Sequence, residues 1–268
     1  MFKNTPFSWI LLFLSSLVLL FILAPLTGMF LKTSGSELLT TIRDREVLDS
    51  IWVTLWISFT ITLIFSIGAI PLSWLLARRE FPLKSVVQSI IDLPVVLPHT
   101  AAGIAILGFI SRDGFLGRIA DSVGLTLINH PGGIALAMAF VSLPFLINSA
   151  RDGFASVPER LEKAGLTLGA NRTRVFFTIS LPLAWRSIVT GFIMMFARGM
   201  SEFGAVVIVA YHPMTAPVLI YERFSSFGLK YARPASVIFI IIALSIFILL
   251  RVVSIGRKET HPARDAEA

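Results

Sequence analysis

The chain has 268 residues, of which 55% are hydrophobic and only 15% are charged, and its mean hydropathy is +0.82. These values exclude an ordinary soluble domain and predict that the solvent of the protein is a lipid bilayer. The formal net charge of +7 is typical of the basic loops that fix orientation in a membrane, an interpretation we prefer to nucleic-acid binding. The absence of cysteine excludes disulfides, thiolate metal sites and cysteine nucleophiles.

Six apolar stretches approach the roughly 20 residues that a helix needs to cross the hydrocarbon core of a bilayer. We therefore predict an all-α integral membrane protein, a single transmembrane domain over residues 1–268 with six transmembrane helices. The predicted spans are residues 7–31, 51–77, 93–111, 132–150, 187–211 and 234–250. The longest segment between two spans is 151–186.

Lys and Arg are unevenly distributed between the loops on the two sides of the membrane. They are more numerous in the two termini and in the loops after the second and fourth spans than in the other loops. Because positively charged loops remain in the cytoplasm, we predict that both termini and the loop 151–186 are cytoplasmic. The loops 32–50, 112–131 and 212–233 are then predicted to lie outside the cell.

The loop 151–186 contains apolar residues at the spacing of one helix face. These residues are Phe154, Val157, Leu161, Ala164 and Leu168. They predict a short amphipathic helix that begins near Ser156, has Pro158 in its first turn and ends at Gly169. Pro182 is predicted to break the helix before the fifth span. Three roles stay open for this helix: it lies on the lipid surface, it caps the bundle, or it binds a cytoplasmic partner.

Two groups of residues inside the spans indicate a pathway through the membrane. Pro94 and Pro98 interrupt the third span, which indicates either a cavity-lining broken helix or a kinked packing helix. Arg198 and Glu202 lie within the fifth span at i,i+4 spacing, on one helix face, and form either an ion pair that fixes helix register or a gate. The candidate pathway residues are Pro94, Pro98, Thr100, Arg198, Ser201, Glu202, Phe203 and Gly204.

The loop also carries a motif with a defined spacing. Lys163-Ala164-Gly165 is followed after three residues by Gly169 and, nine residues later, by Ile179-Ser180-Leu181-Pro182. This motif resembles the EAA loop of ABC importer permeases, although Lys163 stands at the Glu position, Glu162 precedes it, and Gly165 replaces the second Ala. The resemblance implies the type I permease fold and a coupling helix that sits in a groove of a cytoplasmic ATPase. The implied coupling residues are Glu162, Lys163, Ala164, Gly165, Gly169, Ile179, Leu181 and Pro182.

The chain has no G-x-x-x-x-G-K-[ST] phosphate-binding loop. ATP and Mg²⁺ are therefore expected on a partner ATPase, while this chain is expected to bind no cofactor and to be a permease subunit rather than an enzyme. Its four histidines lack the spacing of metal ligands, so we expect no metal site.

Longer stretches narrow the resemblance. The segments "DLPVVLPHTAAGIA" and "ARGMSEFGAVVIVAYHPMTAPVLIYERF" are similar to the molybdate/tungstate (ModB-type) branch of this family. The resemblance implies import of molybdate or tungstate across the cell membrane by a homodimer of this subunit, with two ATPase subunits and an extracytoplasmic binding protein. Sulfate or thiosulfate permeases share much of the same pattern and are the alternative. Neither reading involves nucleic acid.

Overall fold

The computed structural model describes residues 6–255, and most of this range is helical. No strand occurs within the described range, which agrees with the all-α prediction. The helices are α1 (Pro6–Leu31), α2 (Gly35–Ile42), α3 (Arg45–Arg78), α4 (Lys84–Val96), α5 (His99–Ile110), α6 (Phe115–Ser122), α7 (Pro131–Ser156), α8 (Glu159–Thr167), α9 (Arg172–Val175), the π-helical turn Phe176–Ser180, α10 (Leu181–Met200), α11 (Gly204–Val209), α12 (Ala216–Phe227) and α13 (Leu229–Ile255). Both termini, with Lys3, Arg257, Lys258 and Arg264, lie outside the described residues, and the orientation stays a prediction.

Within residues 6–255, five helical stretches are long and apolar enough to cross a bilayer. They are Pro6–Leu31, Arg45–Arg78, Pro131–Ser156, Arg172–Met200 and Leu229–Val252. The first, second, fourth and sixth predicted spans lie within α1, α3, α7 and α13. A sixth crossing is reached if α4 and α5, which are bent by 111° at a short break, together form one span.

The third predicted span, 93–111, is not one straight helix. The helix α4 ends at Val96, and Leu97 has extended backbone angles (φ −66°, ψ 139°) before α5 begins at His99. Pro98 explains the break, because its ring disfavours helical backbone at the residue before it and it has no N–H to donate. Pro94 is buried inside α4, so only the second proline interrupts the helix.

The fifth predicted span, 187–211, is displaced along the chain. The helical stretch instead runs from Arg172 to Met200, and the backbone leaves the helix before α11. Pro182 does not break a helix, contrary to the prediction, but lies in the first turn of α10 after the π-helical turn. There the Leu181 N–H bonds to the Phe176 carbonyl, and this wider register lets the helix continue past a residue without an N–H.

The helices α3, α7 and α10 form the centre of the bundle. Small residues bring α7 and α10 together: a Cβ at Gly153 would lie 2.4 Å from Ser187 Cβ, and one at Gly191 would lie 2.9 Å from Ser149 Cβ. The Ser149 hydroxyl donates a hydrogen bond of 2.7 Å to the Ser187 carbonyl. Such close backbone contact and interhelical bonding stabilise helix pairs in a bilayer, where lipid tails compete for apolar surface.

One face of α3 carries a row of buried hydroxyl side chains. The row consists of Ser50, Thr54, Ser58, Thr62, Ser66 and Ser73. From Thr54 onward each hydroxyl donates to the carbonyl four residues earlier, at 2.6–2.7 Å. Three bonds of the row extend beyond α3: Thr54 accepts from the Ala216 N–H at 2.7 Å, Ser58 lies 3.5 Å from Met138 Sδ, and Ser73 also donates to the Ile147 carbonyl at 3.0 Å. Hydroxyls in the interior are thereby satisfied without water.

The contact between α7 and α10 leads to a stability prediction. Gly153→Ala is expected to lower the free energy of unfolding by about 1–3 kcal/mol, because the new methyl group overlaps Ser187. Gly68→Ala in α3 is the matched control, since a Cβ there meets no atom within 4 Å and alanine gains roughly 1 kcal/mol of helix propensity. Thermal unfolding of both variants in detergent measures the difference. Equal unfolding temperatures for the two variants would contradict the close contact.

Candidate functional site

The predicted coupling loop contains a separate short helix, α8, which corrects the single helix expected from the apolar spacing. The helix α7 continues past Phe154, and Val157 is extended (φ −75°, ψ 122°) because it precedes Pro158. Phe154 and Val157 are buried in the bundle, whereas Leu161 and Leu168 are 41% and 89% exposed. The five apolar residues therefore do not form one continuous face.

Gly169 lies just beyond the end of α8, as predicted. Its φ of +87° is in the left-handed region, which glycine adopts at little cost. The Gly169 N–H bonds to the Leu166 carbonyl and the Ala170 N–H bonds to the Gly165 carbonyl. This hydrogen-bonded turn ends the helix and redirects the chain towards α9.

Glu162 anchors α8 to the end of α3. Arg78 donates from Nε to both carboxylate oxygens of Glu162, at 3.0 and 3.1 Å, and its Nη2 lies 2.9 Å from Oε1. The same guanidinium donates to the Val157 carbonyl at 2.8 Å, and Ser180 donates to Glu162 Oε1 at 2.8 Å. Both charged side chains are largely buried. A bidentate, partly desolvated pair of this kind fixes position as well as contributing energy.

Lys163, which stands at the Glu position of the motif, has a different environment. Its Nζ lies 3.0 Å from Glu159 Oε2 on the exposed surface of α8. The hydrogen bond from Lys163, and then its positive charge, lower the pKa of the Glu159 carboxyl. The acidic side chain that contacts the rest of the bundle is thus Glu162, one residue before the motif position.

The remaining motif residues lie on both sides of α8. A Cβ added to the partly buried Gly165 would lie 2.9 Å from Ile179 Cδ1 and 3.2 Å from Val175 Cγ2, so this position carries the close contact with the following helix. Ala164 is exposed on the opposite side. Leu181 is partly buried and Pro182 is exposed in the first turn of α10.

The second group of candidate residues lies where α10 ends and where α5 and α11 begin. Glu202 lies beyond the end of α10, not within a span as predicted, and is only 1% exposed. Its Oε2 lies 2.8 Å from Arg198 Nη2 and 3.2 Å from His99 Nδ1. Its Oε1 accepts the Ala205 N–H at 2.9 Å at the start of α11. Both carboxylate oxygens therefore have partners, and the ion pair inferred from the i,i+4 spacing forms across a helix end.

His99 is the site residue that sequence reasoning missed. It is the first residue of α5, and its two ring nitrogens lie 3.0 and 3.1 Å from Arg198 Nη2. The sequence pattern tests the histidines only as metal ligands. The position of His99 directly after Pro98, at a break inside an apolar segment, is the sequence signal for a site residue.

The other pathway candidates surround this cluster. A Cβ at Gly204 would lie 2.6 Å from His99 Cβ, so only glycine lets α11 approach α5 this closely. Thr100 and Ser201 are exposed, and the Ser201 hydroxyl lies 3.5 Å from Arg198 Nη1. Phe203 packs against Tyr221, with ring centroids 4.7 Å apart. Pro94 is buried in α4, and Pro98 makes the break before α5.

The exposed part of the cluster offers hydrogen-bond donors, while its acid is enclosed. The side chain of His99 is 47% exposed and that of Arg198 is 23% exposed, in contrast to Glu202. The hydroxyl of Thr100 adds a further donor, whereas the Ser201 hydroxyl donates to the Arg198 carbonyl at 3.1 Å. This arrangement is suited to contact with an anion, and the buried carboxylate holds the guanidinium in place.

Comparison with known proteins identifies the family of this chain. Residues 69–257 match the family model described as binding-protein-dependent transport system inner membrane component. The molybdate/tungstate transport system permease protein WtpB of Thermococcus kodakarensis is 43% identical over 247 residues, which cover 91% of this chain and 94% of the relative. A probable sulfate transport system permease protein of Chlorokybus atmophyticus is 34% identical, covering 74% of this chain and 70% of the relative.

Among solved structures, a bacterial ABC transporter involved in the import of the acidic polysaccharide alginate has a TM-score of 0.73. The two chains are 16% identical, and the match covers 94% of this chain and 96% of the other. This likeness confirms the predicted ABC importer permease fold. The chain belongs to the family of binding-protein-dependent transport system inner membrane components and is a multi-pass membrane protein.

Proposed function

We propose that this chain is the permease subunit of an ATP-driven ABC importer for molybdate and tungstate. The observation that carries the proposal is the 43% identity over almost the whole chain to a molybdate/tungstate permease. Relatives named as sulfate permeases are more distant, at 34% identity over a shorter part of the chain. ATP is bound and hydrolysed by a separate subunit, because this sequence has no phosphate-binding loop.

In this proposal α8 transmits the motion of the ATPase to the membrane helices. The exposed side of α8, with Leu161, Ala164 and Leu168, contacts the ATPase. The buried side is tied to α3 through Glu162 and Arg78, and it packs on the following helix through Gly165. A displacement of α8 is therefore transmitted both to α3 and to the stretch from Arg172 to Met200.

The cluster of His99, Arg198 and Glu202 forms part of the pathway in this proposal. A passing oxyanion contacts the donors of Arg198 and Thr100. Glu202 neutralises the guanidinium of Arg198, whose unpaired positive charge would bind the anion too tightly. Because these residues lie on the ends of different helices, a shift of α5 against α11 opens or closes the contact. Phe203 and Gly204 then act at the same constriction.

The working assembly in this proposal is a homodimer of this chain with two cytoplasmic ATPase subunits and an extracytoplasmic binding protein. A closed two-fold pair gives a central pathway with equivalent halves. The family description supports the need for a binding protein. Both termini and the loop 151–186 face the cytoplasm, as the distribution of Lys and Arg predicts.

Substrate uptake tests the proposed function directly. We expect the complete complex, reconstituted in liposomes with its binding protein and ATP, to take up labelled molybdate and tungstate at least about tenfold faster than sulfate, a difference of roughly 1.4 kcal/mol in barrier. Liposomes without ATP are the control. Sulfate uptake at an equal or higher rate, with little uptake of the other two anions, would assign the chain to the sulfate alternative.

A further inference from the structure

A cavity of about 240 Å³ opens between α8, the end of α3 and the start of α9. Its lining residues are Trp74, Arg78, Arg79, Glu159, Glu162, Lys163, Leu166, Arg172 and Val175. Four of these side chains are cationic and two are acidic, so the lining has a formal charge of +2. The pathway proposed above does not use this cavity.

Two of the four cations have no counter-ion. Arg78 is paired with Glu162, and Lys163 is paired with Glu159. The guanidinium groups of Arg79 and Arg172, by contrast, have no hydrogen-bond or ion-pair partner within residues 6–255, and both residues are exposed. The cavity thus presents two available guanidinium groups from two different helix ends.

Trp74 forms part of the cavity wall. Its indole Nε1 is buried and has no hydrogen-bond partner among the described residues. The ring is held by Phe176, with centroids 5.6 Å apart at an interplanar angle of 82°. Because this nitrogen is enclosed, Trp74 contributes an aromatic wall to the cavity and not an accessible donor.

The cavity lies between the ends of two helical stretches that are long and apolar enough to cross a bilayer. One wall is the C-terminal end of the membrane-crossing helix Arg45–Arg78, and another is the start of the stretch Arg172–Met200. Trp together with Arg at such an end is typical of the interface between lipid headgroups and acyl chains. Basic pockets between helices at this interface are suited to the phosphate of a lipid headgroup.

We propose that this cavity is a binding site for a tetrahedral phosphate group, supplied by an anionic phospholipid headgroup or by free phosphate. Arg79 and Arg172 bind the phosphate oxygens from two sides, and each guanidinium can donate two parallel N–H bonds. The Trp74 ring forms an aromatic wall of the same site. Because α8 forms one wall, occupancy links the position of α8 to the end of α3.

The test uses the intact complex of permease and ATPase in detergent. Binding of phosphatidylglycerol, with zwitterionic phosphatidylcholine for comparison, is measured by native mass spectrometry, and binding of inorganic phosphate by thermal shift at constant ionic strength. The variants are Arg79→Gln/Arg172→Gln and Trp74→Phe, which keeps the aromatic contact with Phe176. Lys84→Gln is the matched control, because Lys84 is a nearby cation that is paired with Glu80 outside the cavity.

We expect the double variant to weaken phosphatidylglycerol binding about thirtyfold, since each cation near an anionic headgroup strengthens binding about fivefold. Trp74→Phe, which keeps the aromatic wall, and Lys84→Gln should both have no effect. Loss of phosphatidylglycerol binding identifies the lipid as the source, and loss of inorganic phosphate binding alone identifies free phosphate. Unchanged binding of both ligands in the double variant overturns the proposal. If the ATPase also dissociates in that variant, the cavity is a contact with the ATPase and not a phosphate site.

Discussion

Glu202→Gln is expected to destabilise the protein by about 3–5 kcal/mol and to remove most of the uptake activity. The carboxylate is almost fully buried and has three partners, so its loss leaves Arg198 without its counter-ion among helix ends. Glu80→Gln is the matched control, because Glu80 makes a single ion pair with Lys84 and its side chain is 88% exposed. That control should change stability by less than about 1 kcal/mol. Thermal unfolding in detergent and uptake in liposomes measure the two effects.

The two roles considered for this ion pair are separated by Arg198→Met/Glu202→Met. Replacement of both charges by apolar groups of similar length restores stability if the pair only fixes helix register, because buried ion pairs often contribute no more than apolar packing. We expect the double variant to regain part of the lost stability but not the uptake activity. Full recovery of uptake would contradict the pathway role of the cluster.

Glu162→Gln is expected to separate ATP hydrolysis from uptake. The substitution leaves Arg78 partly buried without its carboxylate and loosens the attachment of α8 to α3, at a cost of about 3–5 kcal/mol of stability. We therefore expect ATP hydrolysis to continue while the number of anions imported per ATP falls several-fold. Parallel assays of phosphate release and uptake by the same liposomes measure this ratio.

Glu159→Gln is the control for Glu162, because it makes the same chemical change three residues earlier on the same helix. Glu159 is exposed and its pair with Lys163 spans one turn, which contributes about 0.3–0.5 kcal/mol. We expect this variant to keep a normal ratio of anions imported per ATP. Equal losses in the two variants would show that α8 works through its exposed charges and not through its anchor on α3.

The hydrophobic stretches predicted four helices well, because a long apolar run has few alternatives in a bilayer. The two failures, at Leu97–Pro98 and at residues 201–203, have the same cause. The residues on either side of both breaks are apolar enough to extend a span, and hydropathy does not report where a backbone turns. At the second break, Glu202 satisfies the Ala205 N–H, which a local pattern of apolar residues does not reveal.

The candidate sites were predictable in part for a related reason. The spacing from Lys163 to Pro182 predicts a coupling loop, and the structure confirms that the short helix within it ends just before Gly169. The anchor itself joins Glu162 to Arg78, which lies 84 positions away in the sequence. No local spacing encodes such a contact, so the residue that carries the attachment was recognised only from the structure.

The row of hydroxyls on α3 has a consequence for how this bundle moves. Most of its hydrogen bonds close within α3, so a small rotation or translation of α3 against α7 breaks none of them. The fixed points are at the two ends, where Thr54 is bonded to Ala216 and Ser73 to Ile147. Between these points the only hydroxyl of the row that bonds to a neighbouring helix within the described residues is Ser58, whose weak bond to Met138 Sδ is 3.5 Å long. The middle of α3 can therefore shift against α7 at little cost in hydrogen bonds, while the bonds at Thr54 and Ser73 act as hinges.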